Sequence, residues 1–216
     1  MRPWAFSLFV GLYALCFTAF GQTGSGSGFV IHPDGYVLTN HHVIDDAAQI
    51  TVVVSGKGKF PASIVAEDDY KDLALLKIEA AGLDALPIAE SKNVNVLDTI
   101  FVLGYPLYST LGADVSASQG HVNAVREDGR IPLLQIDANV NFGNSGGPVV
   151  NDRGEVIGVV VSKLNAAFFL QETGSIPERV NFAIPIDEAR GNAEEGVPIR
   201  LQSLCEDRAP HCEANL

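Results

Sequence analysis

A serine set among glycines is the most chemically specific feature of the chain. In Asn141-Phe142-Gly143-Asn144-Ser145-Gly146-Gly147-Pro148, which lies between two apolar stretches, the flanking glycines let the backbone take φ values that a β-carbon forbids. They also leave room for a carbonyl to approach the hydroxyl. The amides of the segment Gly143, Asn144 and Ser145, in particular those of Gly143 and Ser145, can then converge on one point, as an oxyanion hole requires. Alone, the run also reads as a plain Gly-rich hairpin turn. A second segment, Leu38-Thr39-Asn40-His41-His42-Val43-Ile44, puts two adjacent histidines at the end of a strand, where one can serve as a group titrating near neutral pH. A third, Asp69-Tyr70-Lys71-Asp72-Leu73-Ala74-Leu75-Leu76, is an acidic loop running into an apolar strand. By itself Asp72 reads as a turn aspartate bonded to its own backbone.

Together the three segments say more than each does apart. A hydroxyl nucleophile needs a base in contact with it and an anion that holds the base in one tautomer. The chain order His42, Asp72, Ser145 is that of chymotrypsin, not of subtilisin or the α/β-hydrolases. Gly143-Asn144-Ser145-Gly146-Gly147 does fit the glycine spacing of an α/β-hydrolase elbow. However, Pro148 and the Val-rich strand after it forbid the helix which that elbow must open.

The elements that must position these residues are strands. From Gly24 onward, short runs of Val, Ile, Leu and Phe are cut by Gly, Asp, Asn and Pro, an all-β pattern. Strands are expected at Phe29 to Ile31, Tyr36 to Thr39, Ile50 to Val54, Ala62 to Val65 and Leu73 to Ile78. Further strands are expected at Thr99 to Leu103, His121 to Val125, Leu133 to Asp137, Val149 to Val150, Val156 to Val161 and Asn181 to Ile184. Strands about ten residues apart with no helices between them imply antiparallel barrels or sandwiches. A short helix fits Asp187 to Ala193.

These motifs carry a resemblance. Thr39-Asn40-His41-His42-Val43, Asp72-Leu73-Ala74-Leu75 and Gly143-Asn144-Ser145-Gly146-Gly147-Pro148 resemble the three catalytic motifs of the HtrA (DegP-like) trypsin-like peptidases. Supporting matches are Gly26-Ser27-Gly28-Phe29-Val30, Asp34-Gly35-Tyr36, Gly104-Tyr105-Pro106 and Asn181-Phe182-Ala183-Ile184-Pro185. The resemblance selects His42 over His41, and Asp72 over Asp68 and Asp69. It implies two antiparallel six-stranded β-barrels with the triad His42, Asp72 and Ser145 in the cleft between them, hydrolysing peptide bonds in unfolded or misfolded polypeptides. No cofactor, metal or nucleotide is implied. It places the walls of the substrate pocket at Asn139, Val140, Val161, Ser162, Lys163 and Asn181. Val140 favours small or medium aliphatic side chains, whereas an inward Lys163 would favour an acidic one. Few residues precede Gly24 once a leader is removed, so three alternatives stand for the first strand of the first barrel: it is missing, it is supplied by the apolar segment, or the assigned start truncates the protein; a PDZ domain, usual in the family, is not expected. The rival reading is a catalytically silent relative that binds peptides or a partner.

The ends and the charge bound the rest. Arg2 followed by an uncharged apolar run from Ala5 to Phe20 reads as a signal peptide over residues 1–21, leaving a protease domain over 22–190 and a polar tail over 191–216. The compartment is then periplasmic or secreted, with no stable membrane insertion; uncleaved, the same segment is an anchor. Cys205 and Cys212 of the tail are expected to form a disulfide in such a compartment; with His211 they make a poor metal site. A formal net charge of −12 argues against nucleic acid and anionic membranes as partners, since both call for clustered Lys and Arg. Polypeptide substrates remain, and self-association is open.

Overall fold

The computed structural model describes residues 25–89, 93–105, 114–127, 131–141, 143–161 and 179–190. Its first half is an antiparallel sheet of β1 (Phe29–His32), β2 (Tyr36–Thr39), β3 (Ile50–Val54), β4 (Gly58–Asp68) and β5 (Leu73–Ile78). These strands lie in the order β1-β2-β5-β4-β3. The second half is a closed six-stranded barrel of β6 (Thr99–Gly104), β7 (Ser116–Arg126), β8 (Leu133–Ile136), β9 (Pro148–Asn151), β10 (Val156–Val161) and β11 (Asn181–Pro185), ordered β10-β11-β8-β7-β6-β9. The all-β, chymotrypsin-like architecture expected from the sequence is therefore present. The first half shows five strands among the described residues.

Two strands run well beyond their expected limits. Strand β4 extends over eleven residues with alternating, mostly exposed positions, and β7 does the same. Their outer ends carry polar residues that do not stand out as strand, and each pairing contains an irregularity, at Ile64/Ala66 and at Val122/Ala124. A bulge of that kind breaks the two-residue alternation by which a strand is recognised. A single helical turn, α1 (His41–Ile44), follows β2, so the two histidines lie just past the strand and not on it. The expected C-terminal helix is a 3₁₀ turn at Ile186–Ala189.

Among the described residues there are three apolar clusters. One packs the first sheet around Val52, Leu76 and Ile78, and one fills the barrel around Ile100, Val122 and Ile136. The third joins the halves: Phe29, Leu38, Leu73 and Leu75 from the sheet meet Val159, Val161 and Ile184 from the barrel. Fully burying a side chain of this size contributes roughly 1.5–3 kcal/mol, enough for this shared cluster to fix how the halves sit together. The connecting segment is stitched to both. Leu86 N–H donates to the Val30 carbonyl (3.0 Å) and Ala89 N–H to the Val156 carbonyl (2.9 Å). Among the described residues no helix is long and apolar enough to cross a membrane.

Candidate active site

The carboxylate is presented by an unusual backbone. Asp72, directly before β5, has φ +55°, a left-handed conformation that aspartate and asparagine tolerate better than most residues. Its main-chain carbonyl accepts a bond from the Asn40 side-chain amide at 2.9 Å, and Asn40 is fully buried. Thus the residue just after β2 holds the residue just before β5, and β2 pairs directly with β5.

So held, the Asp72 carboxylate grips the first turn of α1. Oδ1 accepts the His42 main-chain N–H at 2.9 Å. The ring Nδ1 lies 2.9 Å from Oδ1 and 2.7 Å from Oδ2. A carboxylate can only accept, so Nδ1 carries the proton and the lone pair resides on Nε2. The ring is also partly withdrawn from water, at 18% side-chain exposure. His41 faces elsewhere: its ring nitrogens lie 3.7 Å from Glu67, at the end of β4, and 3.5 Å from Asp69, in the loop before β5, both exposed acids. The geometry therefore pairs Asp72 with His42 and leaves His41 to the acidic surface.

Ser145 comes from the other half. It sits 5% exposed in the turn before β9. Gly143 and Gly146 on either side have φ +97° and +82°, values that make glycine necessary there. At Gly146 a β-carbon would also collide with the Ser27 carbonyl and the Thr39 hydroxyl, so the turn packs directly onto the first sheet. Within the turn, Asn144 N–H donates to the Asn141 carbonyl (3.0 Å), Gly146 N–H to Val160 (3.0 Å) and Gly147 N–H to Asn144 (2.9 Å). Asn144 therefore spends its amide inside the turn, unlike the part expected of it beside Gly143 and Ser145.

The expected pocket walls are placed unequally. Asn139 is exposed and is pinned by its N–H to Ser118 Oγ at 2.9 Å. Val140 packs in part against the barrel core. Asn181, on β11, donates from its side chain to the Ala138 carbonyl at 2.8 Å, which brings β11 and the Asn139 to Val140 segment together. Val161 is 1% exposed and belongs to the cluster between the halves, so any part it takes in a pocket falls to its backbone. Ser162, Lys163, Cys205, Cys212 and the leader 1–21 lie outside the described residues.

Sequence reasoning passed over Asn40 and Ser27. Asn40 stood in the histidine motif without a role, and its bond to Asp72 spans 32 positions. Ser27 stood between two glycines in a supporting match of the resemblance, without a role of its own.

The trypsin-like peptidase domain model matches residues 26–159, more than half of the chain. The serine endoprotease DegS of Haemophilus influenzae is 39% identical over 170 residues, covering 76% of this chain and 47% of that protein. A probable periplasmic serine endoprotease, DegP-like, of Pseudomonas putida is 39% identical over 168 residues, covering 76% and 33%. Among solved structures, the serine endoprotease from Yersinia pestis superposes with a TM-score of 0.67 at 35% identity, covering 81% of this chain and 58% of that one. The HtrA-type protease AlgW with a decapeptide gives 0.63 at 31%, covering 75% and 48%. The chain spans half or less of the length of these curated relatives. By family match, identity and architecture, the chain belongs to the trypsin-like peptidase domain family, with HtrA-type serine endoproteases as its relatives.

Proposed function

We propose that the chain is a serine endopeptidase in which Ser145 attacks the substrate carbonyl, His42 is the general base and Asp72 orients it. The observation that carries this reading is the double grip of Asp72 on the His42 amide and ring Nδ1. It fixes the tautomer whose Nε2 can accept a proton. In the first step the Ser145 Oγ–C bond forms as the Oγ proton passes to His42 Nε2. Asp72 then stabilises the imidazolium while the amides of Gly143 and Ser145 hold the oxyanion. Next, Nε2 returns the proton to the leaving amine as the C–N bond breaks, and water repeats the sequence to release the acyl group.

By analogy with the relatives, the substrates are polypeptides in unfolded form and the compartment is periplasmic or secreted. Asn139, Val140 and Asn181 wall a pocket for small or medium aliphatic side chains. The test compares the full chain with Ser145→Ala on reduced, unfolded casein near neutral pH. Peptide release by the wild type and its loss in the variant supports the reading. A folded, inactive wild type refutes it.

A further inference from the structure

Ser27 is completely buried, and each of its polar groups is spent on the surroundings of the nucleophile turn. Its hydroxyl donates to the Gly143 carbonyl at 2.6 Å and accepts the Tyr105 N–H at 3.0 Å. Its amide donates to the Ser145 carbonyl at 2.7 Å, and its carbonyl accepts the Thr39 hydroxyl at 2.7 Å. One residue at the entry to β1 thus ties together the end of β2, the end of β6 and the turn before β9.

The two bonds into the turn fall on particular peptide groups. The group between Gly143 and Asn144 is held at its oxygen by Ser27 Oγ and at its N–H by the Asn141 carbonyl. The group between Ser145 and Gly146 is held at its oxygen by Ser27 N–H and at its N–H by the Val160 carbonyl. The peptide group carrying the Ser145 amide lies between these two clamped groups, and the Gly143 amide lies directly before the first. Both amides assigned to the oxyanion are therefore aimed by planes that Ser27 fixes. Gly143, at φ +97°, has no β-carbon to resist rotation once the oxygen is released. Of the two bonds into the turn, only the one to the Gly143 carbonyl depends on the side chain, so the two clamps can be separated by mutation.

We infer that Ser27 is a positioning residue of the oxyanion site, acting through its hydroxyl on the Gly143 carbonyl. This rests on the endopeptidase reading above. A preorganised donor counts only where charge develops, so loosening it lowers kcat and leaves KM, which reflects ground-state binding, nearly unchanged.

The experiment compares full-length wild type, Ser27→Ala, Ser27→Cys and the core variant Ile78→Val, using an internally quenched peptide and kcat per fluorophosphonate-titrated site. Ser27→Ala is expected to lower kcat about 10- to 100-fold, below the cost of deleting an oxyanion donor outright, with KM within about twofold. The near-isosteric Ser27→Cys, a weaker donor, falls between. Ile78→Val, which loses stability in the first sheet without touching the turn, keeps wild-type kcat and shows that destabilisation alone does not lower it. Should Ser27→Ala melt earlier but turn over at the wild-type rate, or raise KM with kcat intact, the inference is overturned while the endopeptidase reading stands. A wild type without turnover overturns both.

Discussion

Replacing Asp72 by Asn separates tautomer control from everything else that Asp72 does. Asparagine tolerates the left-handed backbone at φ +55°, and the main-chain carbonyl still accepts the Asn40 bond. The side-chain carbonyl oxygen can still take the His42 N–H now held by Oδ1, so α1 keeps its anchor. The change falls on the second carboxylate oxygen, 2.7 Å from His42 Nδ1. An amide nitrogen there donates, so Nδ1 must become the acceptor and the ring proton moves to Nε2. That nitrogen can then no longer receive the Ser145 proton. The imidazolium also loses its counter-charge. In a triad of this geometry the corresponding change costs about 10⁴-fold in kcat, or roughly 5.5 kcal/mol of barrier at 1.36 kcal/mol per tenfold. Melting temperature should stay within a few degrees of wild type. The assay is steady-state cleavage of a quenched peptide, with the melting curve taken on the same preparation. A folded Asp72→Asn enzyme that retains more than a tenth of wild-type kcat would refute the orienting role of Asp72 and, with it, the reasoning from the double grip.

Other outcomes follow from single contacts. His42→Ala should abolish turnover, by about a millionfold where the base acts as part of a unit, while His41→Ala should stay within about twofold, since its ring nitrogens lie toward Glu67 and Asp69 and not toward Asp72; the same kinetic assay compares them. Gly146→Ala should destabilise by about 2–5 kcal/mol, summing left-handed backbone strain and the collision with Ser27 and Thr39, as read from the urea midpoint. Leu73→Ala, in the cluster between the halves, should cost about 2–5 kcal/mol by the same measurement. On the barrel surface, bonds from Asn151 and then Arg153 hold the Glu155 carboxyl below its ordinary pKa. A depressed acid contributes stability that is present above its unfolded pKa and is lost as pH falls through the folded one. The melting difference between wild type and Glu155→Gln should therefore be present at neutral pH and vanish on acidification.

How much of this was legible in the sequence depended on whether a residue acts locally. Strands Tyr36–Thr39, Ile50–Val54, Leu73–Ile78 and Val156–Val161 coincide with their apolar runs, because burial and period agree within each run. The outer ends of β4 and β7 were hidden because their side chains face water and a bulge shifts their alternation. For the site, glycines marked the turn around Ser145, and the resemblance separated His42 from His41. The reason for that separation was not in the local sequence: it is a 2.7 Å contact across 30 positions. Asn40 and Ser27 were missed for the same cause. Their partners lie 32 and 116 positions away, and a polar residue satisfied by a distant backbone looks like any other loop residue until the chain is folded.

The distribution of these contacts bears on how the two halves can fail. His42 and Asp72, the proposed base and orienting acid, both belong to the first half, and Asp72 is held there by Asn40 beside the β2 to β5 pairing. The serine belongs to the barrel, yet its turn leans on the first sheet at Gly146 and is bonded to it through Ser27. A perturbation confined to either half can leave that half folded and still spoil the register between Oγ and imidazole, which must hold to well under 1 Å for efficient transfer. The shared cluster of Phe29, Leu38, Leu73, Val159 and Ile184 sets the approach of the halves only through close packing, which is stiff but has no directional bonds. The Ser27 contacts add direction where the alignment matters, at the turn itself. That division of labour gives a fully buried serine a role at a point where an apolar residue would pack with less risk of an unsatisfied group.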